Sequence, residues 1–177
     1  MKRSALILVL FLFSIPMPVL AESYDLTMGP FQAKFDTLQA LDERIESPVA
    51  FDDFTGYPVS LWPKDESGSG MISLKIQDYN TEIDVSSSAL RDMINEEAST
   101  FFEEDPITYA PTTIDGRPGE VGTITTKEGE TVIFAAYSPD GAGMYGNVLA
   151  LITALPFDGA PTENGDMFLK TLKIRRT

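Results

Sequence analysis

The sequence predicts a mixed α+β domain, a central sheet with helices lying on both of its faces. Three stretches carry that expectation. Val132 to Tyr137 and Val148 to Leu155 are apolar at nearly every position, which suits central strands covered on both sides rather than strands with one wet face. Leu90, Met93, Ile94, Ala98, Phe101 and Phe102 recur at three- and four-residue steps, the stripe of a helix that packs one face on a sheet. Ile72, Leu74 and Ile76 alternate with Ser73, Lys75 and Gln77, the period of a half-buried strand.

Taken in order, the chain opens on a predicted export signal over residues 1–21. Lys2 and Arg3 precede an apolar run from Ala5 to Ile15, then Pro16, Pro18 and Val19-Leu20-Ala21 before Glu22. Basic, apolar and small-residue segments in that order are what translocation and its peptidase require. An uncleaved anchor is the alternative, but it needs ~18 to 20 apolar residues to span a bilayer, and this run is shorter. No cysteine stands at the cut to carry a lipid, so the mature chain is expected to be free of the membrane. Residues 22–177 read as one domain, with no repeat or low-complexity linker.

Within that domain, Tyr24 to Met28 and Phe31 to Leu38 read as strands on either side of a Gly29-Pro30 turn; proline fixes its own φ and cannot donate to a ladder. Val49 to Phe51 and Tyr57 to Trp62 read as edge-like pieces around Asp52-Asp53 and Gly56. Ser86-Ser87-Ser88 offers an N-cap, a side-chain oxygen for an unpaired first-turn amide, to a helix predicted from Ser87 to Glu104. Pro106 stops it, because the residue before a proline is disfavoured in helical geometry. Ile107 to Ala110 and Thr112 to Ile114 follow as extended pieces, and Asp115 to Gly119 as a turn. Strands Glu120 to Thr126 and Thr131 to Tyr137 are joined by the hairpin loop Lys127 to Glu130. Pro156 and Pro161 bracket a loop, after which Thr162 caps a last helix. Its first turn carries Glu163 and Asp166, acids that suit the positive end of the helix dipole, and Phe168 and Leu172 turn inward. Leu172 to Arg175 closes in an extended piece.

Composition narrows the chemistry. The signal holds two of the 13 Lys and Arg and none of the 27 Asp and Glu, so its removal takes the formal charge from −14 to −16. That balance repels nucleic acid and anionic membranes, which are bound by clustered Lys and Arg; its plainest use is solubility. There is no cysteine and no histidine. Thiolate and His-dependent catalysis and the usual transition-metal sites therefore cannot be built, and an exported domain without disulfides must be stable from its core alone. Carboxylate, Lys, Tyr or Ser chemistry survives this filter.

Several constellations invite a functional reading. Asp52-Asp53 and Glu103-Glu104-Asp105 are the places to seek a hard cation, which wants several oxygens, but neither has EF-type spacing, and solvated loops and helix ends explain them. Ser138-Pro139-Asp140-Gly141 is a turn sequence without any ion. Gly141-Ala142-Gly143-Met144-Tyr145-Gly146 has a G-x-G-x-x-G spacing, yet a dinucleotide site must open a helix, whereas this segment leads into a strand; it reads as an interstrand loop. Trp62, the single tryptophan, lies near Tyr57, Pro58 and Pro63, where an aromatic groove or the edge of a core would both fit. Lys170, Lys173, Arg175 and Arg176 crowd the last eight residues, complementing the negative end of the last helix or pairing with acids elsewhere.

The segments Ile114-Asp115-Gly116-Arg117-Pro118-Gly119, Val132 to Tyr137, Val148 to Pro156 and Phe168 to Ile174, preceded by the helix from Ser87 to Glu104, resemble the PsbP-like family and its relatives of the Mog-type fold. The resemblance implies an antiparallel central sheet with helices on both faces, an α/β/α sandwich. It also implies a non-enzymatic role, since members dock on larger assemblies, as in photosynthetic water oxidation, or bind a small GTPase during nuclear import; they share no catalytic residues to carry over. No docking motif for those partners is visible here.

The expected function is that of an exported, soluble, non-enzymatic module in the periplasm or at the cell surface. It would bind an extracytoplasmic protein or a small ligand through the loops Asp52 to Trp62, Asp115 to Gly119 and Ser138 to Asn147, with Asp52, Asp53, Tyr57, Trp62, Arg117 and Tyr145 as contact residues. No catalytic residue, metal ligand or cofactor is assigned. The alternatives are a carboxylate-based hydrolase of cell-envelope polymers, which needs a general acid in a concave pocket, and an acidic cation-binding protein.

Overall fold

The computed structural model describes residues 21–64, 70–102, 106–157 and 163–177. Among them are eleven strands and two helices. The larger sheet is built around β6 (Met71–Asp84) and β10 (Tyr145–Leu155), and continues through β9 (Thr131–Tyr137) and β8 (Arg117–Thr125) to β7 (Thr108–Ile114). On its other side come β5 (Phe54–Pro63) and β3 (Leu41–Ile45), with the short β4 (Val49–Ala50) also on β5. A smaller sheet has β2 (Phe31–Thr37) between β1 (Glu22–Met28) and β11 (Lys173–Arg176). Neighbouring strands are antiparallel in both sheets.

Two cores lie on the two faces of the larger sheet. On one, α1 (Ser87–Ser99) sets Leu90, Ile94 and Ala98 against Val132, Phe134, Ala136, Leu149 and Leu151. Two ion pairs fix it there: Lys75 Nζ donates to both Glu97 carboxylate oxygens at 2.8 Å, and Arg91 Nε donates to Glu120 Oε2 at 3.0 Å. On the other face, Ile133, Ala135, Tyr137, Ala150 and Ile152 meet Leu26, Met28, Phe31, Ala33 and Phe35 of the smaller sheet, with Phe168 and Leu172 from the region of α2 (Glu163–Thr171) beside it. No helix among the described residues is long and apolar enough to cross a membrane.

The α+β expectation, an α/β/α sandwich with helices on both faces, is therefore corrected: strands make up 59% and helices 15% of the structure, and the molecule is mostly β. The central strands are buried on both sides as their composition predicts. Apolar residues at every position report only that both faces are covered, and a sheet covers as well as a helix. Here the alternation of buried Phe31, Ala33, Phe35 and Thr37 with more exposed Gln32, Lys34 and Asp36 makes β2 the centre of that second cover.

Smaller differences have local causes. β5 is no edge: β3 and β4 pair with one side of it and β6 with the other. β3 escapes the sequence because only Leu41 of its five residues is buried, and Pro58 is tolerated because it falls opposite the break between β3 and β4. The turn after β7 is just Asp115-Gly116, both at positive φ (53° and 75°), between the paired Ile114 and Arg117. That is the two-residue hairpin geometry favoured by the twist of antiparallel strands. α1 starts at the predicted place, but the N-cap Ser86 makes no side-chain capping bond. It ends at Ser99, where the Ser99 and Thr100 hydroxyls turn back to the Glu96 and Glu97 carbonyls at 2.7 Å, satisfying acceptors that a helix end leaves open. The predicted end at Glu104 and the Thr162 cap lie outside the described residues.

Candidate binding site

The register brings the predicted loops to one end of the larger sheet. Gly119 pairs with Tyr137, Tyr137 with Ala150, Val148 with Asp78 and Asp78 with Thr55, so the segment before β5, the β7–β8 turn and the β9–β10 loop all leave from the same side. Arg117 Nη1 donates to the Gly141 carbonyl at 3.0 Å, tying two of these loops together. Tyr145 begins β10 there and is 56% exposed.

Between this end and the smaller sheet lies an open basin of about 530 Å³ with Phe31, Val148 and Ile174 in its lining. Three of the chain's six arginines, Arg117, Arg175 and Arg176, also line it. Two of them are engaged face to face with carboxylates. Arg175 makes a bidentate contact with Asp115, whose side chain is only 3% exposed and also accepts the Ile174 amide at 3.1 Å. Arg176 grips Asp78 at 2.6 and 3.0 Å and lies 4.8 Å over the Phe31 ring. The hydrogen bonds to Asp115 and Asp78 raise the pKa of Arg175 and Arg176 respectively. Paired guanidinium and carboxylate forks of this kind are rigid as well as strong.

Asp140 completes the rim. Its Oδ1 accepts from the Ser138 hydroxyl at 3.0 Å, the Val148 amide at 2.9 Å and the Asn147 amide at 3.2 Å; Oδ2 shares the Asn147 amide at 3.3 Å and has no other donor among the described residues. The glycines of the G-x-G-x-x-G segment serve this packing: a Cβ on Gly146 would collide with the Ser138 hydroxyl. The segment is the interstrand loop that its strand-facing context predicts.

Behind Asp115 and Arg175 stands Tyr137, fully buried, with no hydrogen-bond partner for its hydroxyl among the described residues. Burial first, and the Asp115 charge second, push its phenol well above the usual range, so it stays neutral. An unpaired buried hydroxyl is a cost, and Tyr137→Phe is expected to leave stability unchanged or to raise it by up to about 1 kcal/mol in urea unfolding. A clear loss would mean that the hydroxyl has a partner.

The other predicted contact residues are scattered. Asp52 and Asp53 are exposed at the loop end, on the α1 side, where Phe51, Phe54 and Tyr79 stack at 4.5 and 5.0 Å between ring centres. Tyr79 has its phenol pKa raised by burial and by the charges of Asp53 and Glu96. Tyr57 is half-buried beneath Gly29, edge-on to Phe31 at 5.5 Å, where it supports the basin from behind. Trp62 lies toward the opposite end of β5, 45% exposed beside Asp42 and Arg44, and takes no part in the basin.

Among the described residues no group of three or more acids is placed to hold a metal ion; Glu103-Glu104-Asp105 lies outside them. The acids with the least exposed side chains, Glu120, Asp115 and Glu97, are each engaged by a Lys or Arg. No family model, no curated protein and no solved structure matches this chain.

Sequence reasoning did not single out Asp78 or Phe31, and it named Asp115 only as the start of a binding loop, not for its pairing with Arg175. The usable signal was the C-terminal crowd of cations: Arg175 and Arg176 pair with acids rather than with a helix end.

Proposed function

We propose that this chain is an exported, non-enzymatic binding module that recognises a protein partner through the loop end of its larger sheet. The observation that carries the reading is where apolar surface is left open. Of the seven exposed large apolar side chains among the described residues, four, Val49, Phe51, Met144 and Tyr145, belong to segments at that end. Apolar side chains gathered at the tips of a rigid scaffold mark an interaction surface. A strongly acidic remainder keeps the rest of the molecule soluble and apart from other acidic proteins. The hydrolase and cation-binding alternatives draw no comparable support from the geometry, and the proposal does not lean on the PsbP-like resemblance.

Site-specific photo-crosslinking in cells producing the full chain tests it. A photoreactive residue at Tyr145 or Phe51 is expected to yield a discrete adduct that the same group at Lys127, in the hairpin loop at the far end of the sheet, does not. Equal adduct patterns at all three positions, or none, would overturn the reading.

A further inference from the structure

We infer that the arginine-lined basin is a receptor for a small zwitterion with an apolar body, of which a free α-amino acid is the simplest form. The site shares the β9–β10 loop with the apolar tips that carry the proposed protein interaction, but none of Val49, Phe51, Met144 and Tyr145 lines it.

The argument begins with charge. Once Arg175 is paired with Asp115 and Arg176 with Asp78, two charged side chains of the basin lining are left in no ion pair among the described residues: Arg117, and Asp140, whose charge also reaches Arg176. They belong to loops that touch, yet they form no ion pair: no nitrogen of one lies within 4.0 Å of an oxygen of the other. Arg117 makes a single hydrogen bond among the described residues, to Gly141, which leaves most of its five donors free. Asp140 holds its loop chiefly through Oδ1 and leaves Oδ2 with acceptor capacity.

A carboxylate can therefore lie against the Arg117 fork and an ammonium against Asp140 Oδ2, with the remainder of the molecule over Phe31, Val148 and Ile174. A lone anion would meet Asp140 and Asp115, and a lone cation would meet three guanidinium groups. Only a ligand with both charges satisfies both unpaired groups. The two engaged arginines make the walls stiff before anything binds, which lowers the ordering cost of binding. The volume, about 530 Å³, falls in the range of small-molecule sites.

The experiment titrates the purified protein, followed by amide NMR, with L-phenylalanine and L-leucine, and with two fragments of the first: 3-phenylpropanoate, which lacks the ammonium group, and phenethylamine, which lacks the carboxylate. Saturable shifts of basin amides are expected with at least one amino acid, and binding weaker by roughly tenfold or more with either fragment, the loss of one charge-assisted contact. Arg117→Gln is expected to weaken L-phenylalanine and 3-phenylpropanoate by a similar factor while leaving phenethylamine, which has no carboxylate, unchanged. Asp140→Asn, which keeps an acceptor for Ser138 and Val148, should also weaken it, and a dispersed spectrum reports that each variant is folded. Binding of 3-phenylpropanoate as tight as that of L-phenylalanine would make this a simple anion site, and no saturation by either amino acid up to about 10 mM would leave no receptor; either result overturns the proposal. Neither touches the crosslinking test of the loop tips.

Discussion

Replacing Phe168 by alanine is expected to cost about 3–5 kcal/mol of unfolding free energy, the range for deleting a fully buried aromatic side chain. Phe168 has no exposed surface, and its ring centre lies 4.5 Å from that of Phe35. The consequence extends past the cavity. α2 is nine residues long, too short to hold itself together in water, and this ring is its main attachment to β2. Its polar ties to β2 and the residue after it depend on the same docking: the Asn164 amide oxygen accepts the Leu38 amide at 2.7 Å, and the Thr171 hydroxyl accepts the Asp36 amide at 2.8 Å. In a domain of this size the melting temperature should fall by about 6–20 °C. Phe101→Ala, at a ring that is 43% exposed, should change it far less. Equal melting of the two variants would show that α2 is not held by its aromatic contact.

Asp115→Ala should cost about 2–4 kcal/mol, and Asp115→Asn distinctly less. Three effects add in the alanine variant. Asp115 sits at φ 53°, a backbone region that Asp and Asn tolerate better than Ala. Its carboxylate holds Arg175 in a two-pronged contact, and it accepts the Ile174 amide. Asparagine keeps the backbone tolerance and an acceptor for Ile174 but loses the charge, so the difference between the variants separates strain and the amide bond from the ion pair. Arg175 is 62% exposed and rehydrates when released, so the cost stays below that of stranding a charge in the interior. Urea unfolding gives the order, and amide exchange at Ile174 should quicken most in Asp115→Ala. Equal stability of the alanine and asparagine variants would remove the backbone and amide contributions.

These residues also mark how far the sequence can be read. Periodicity located β6, β9, β10 and the start of α1, because each is a local pattern with a clear period. It could not say what covers the second face, since Val132 to Tyr137 looks the same under a helix or a sheet. β3 was invisible because four of its five residues face water. The basin was least legible of all: Arg175 meets Asp115 across 60 residues and Arg176 meets Asp78 across 98. No spacing rule reaches so far. Arg117 and Tyr145, chosen because turn chemistry exposes residues beside glycine, lie at one end of the sheet; Trp62, chosen as an aromatic beside prolines, sits elsewhere because β5 runs away from that end.

The smaller sheet joins the two extremities of the folded domain, with β1 and β2 made first and β11 made last. During synthesis the hairpin of Tyr24 to Phe35 emerges from the ribosome long before its third strand exists, and it must wait with one side unpaired and its apolar row uncovered. A polypeptide stalled or clipped before Lys173 keeps that open flank of β2, a template for joining other chains, so proteolytic trimming of the tail is expected to promote aggregation.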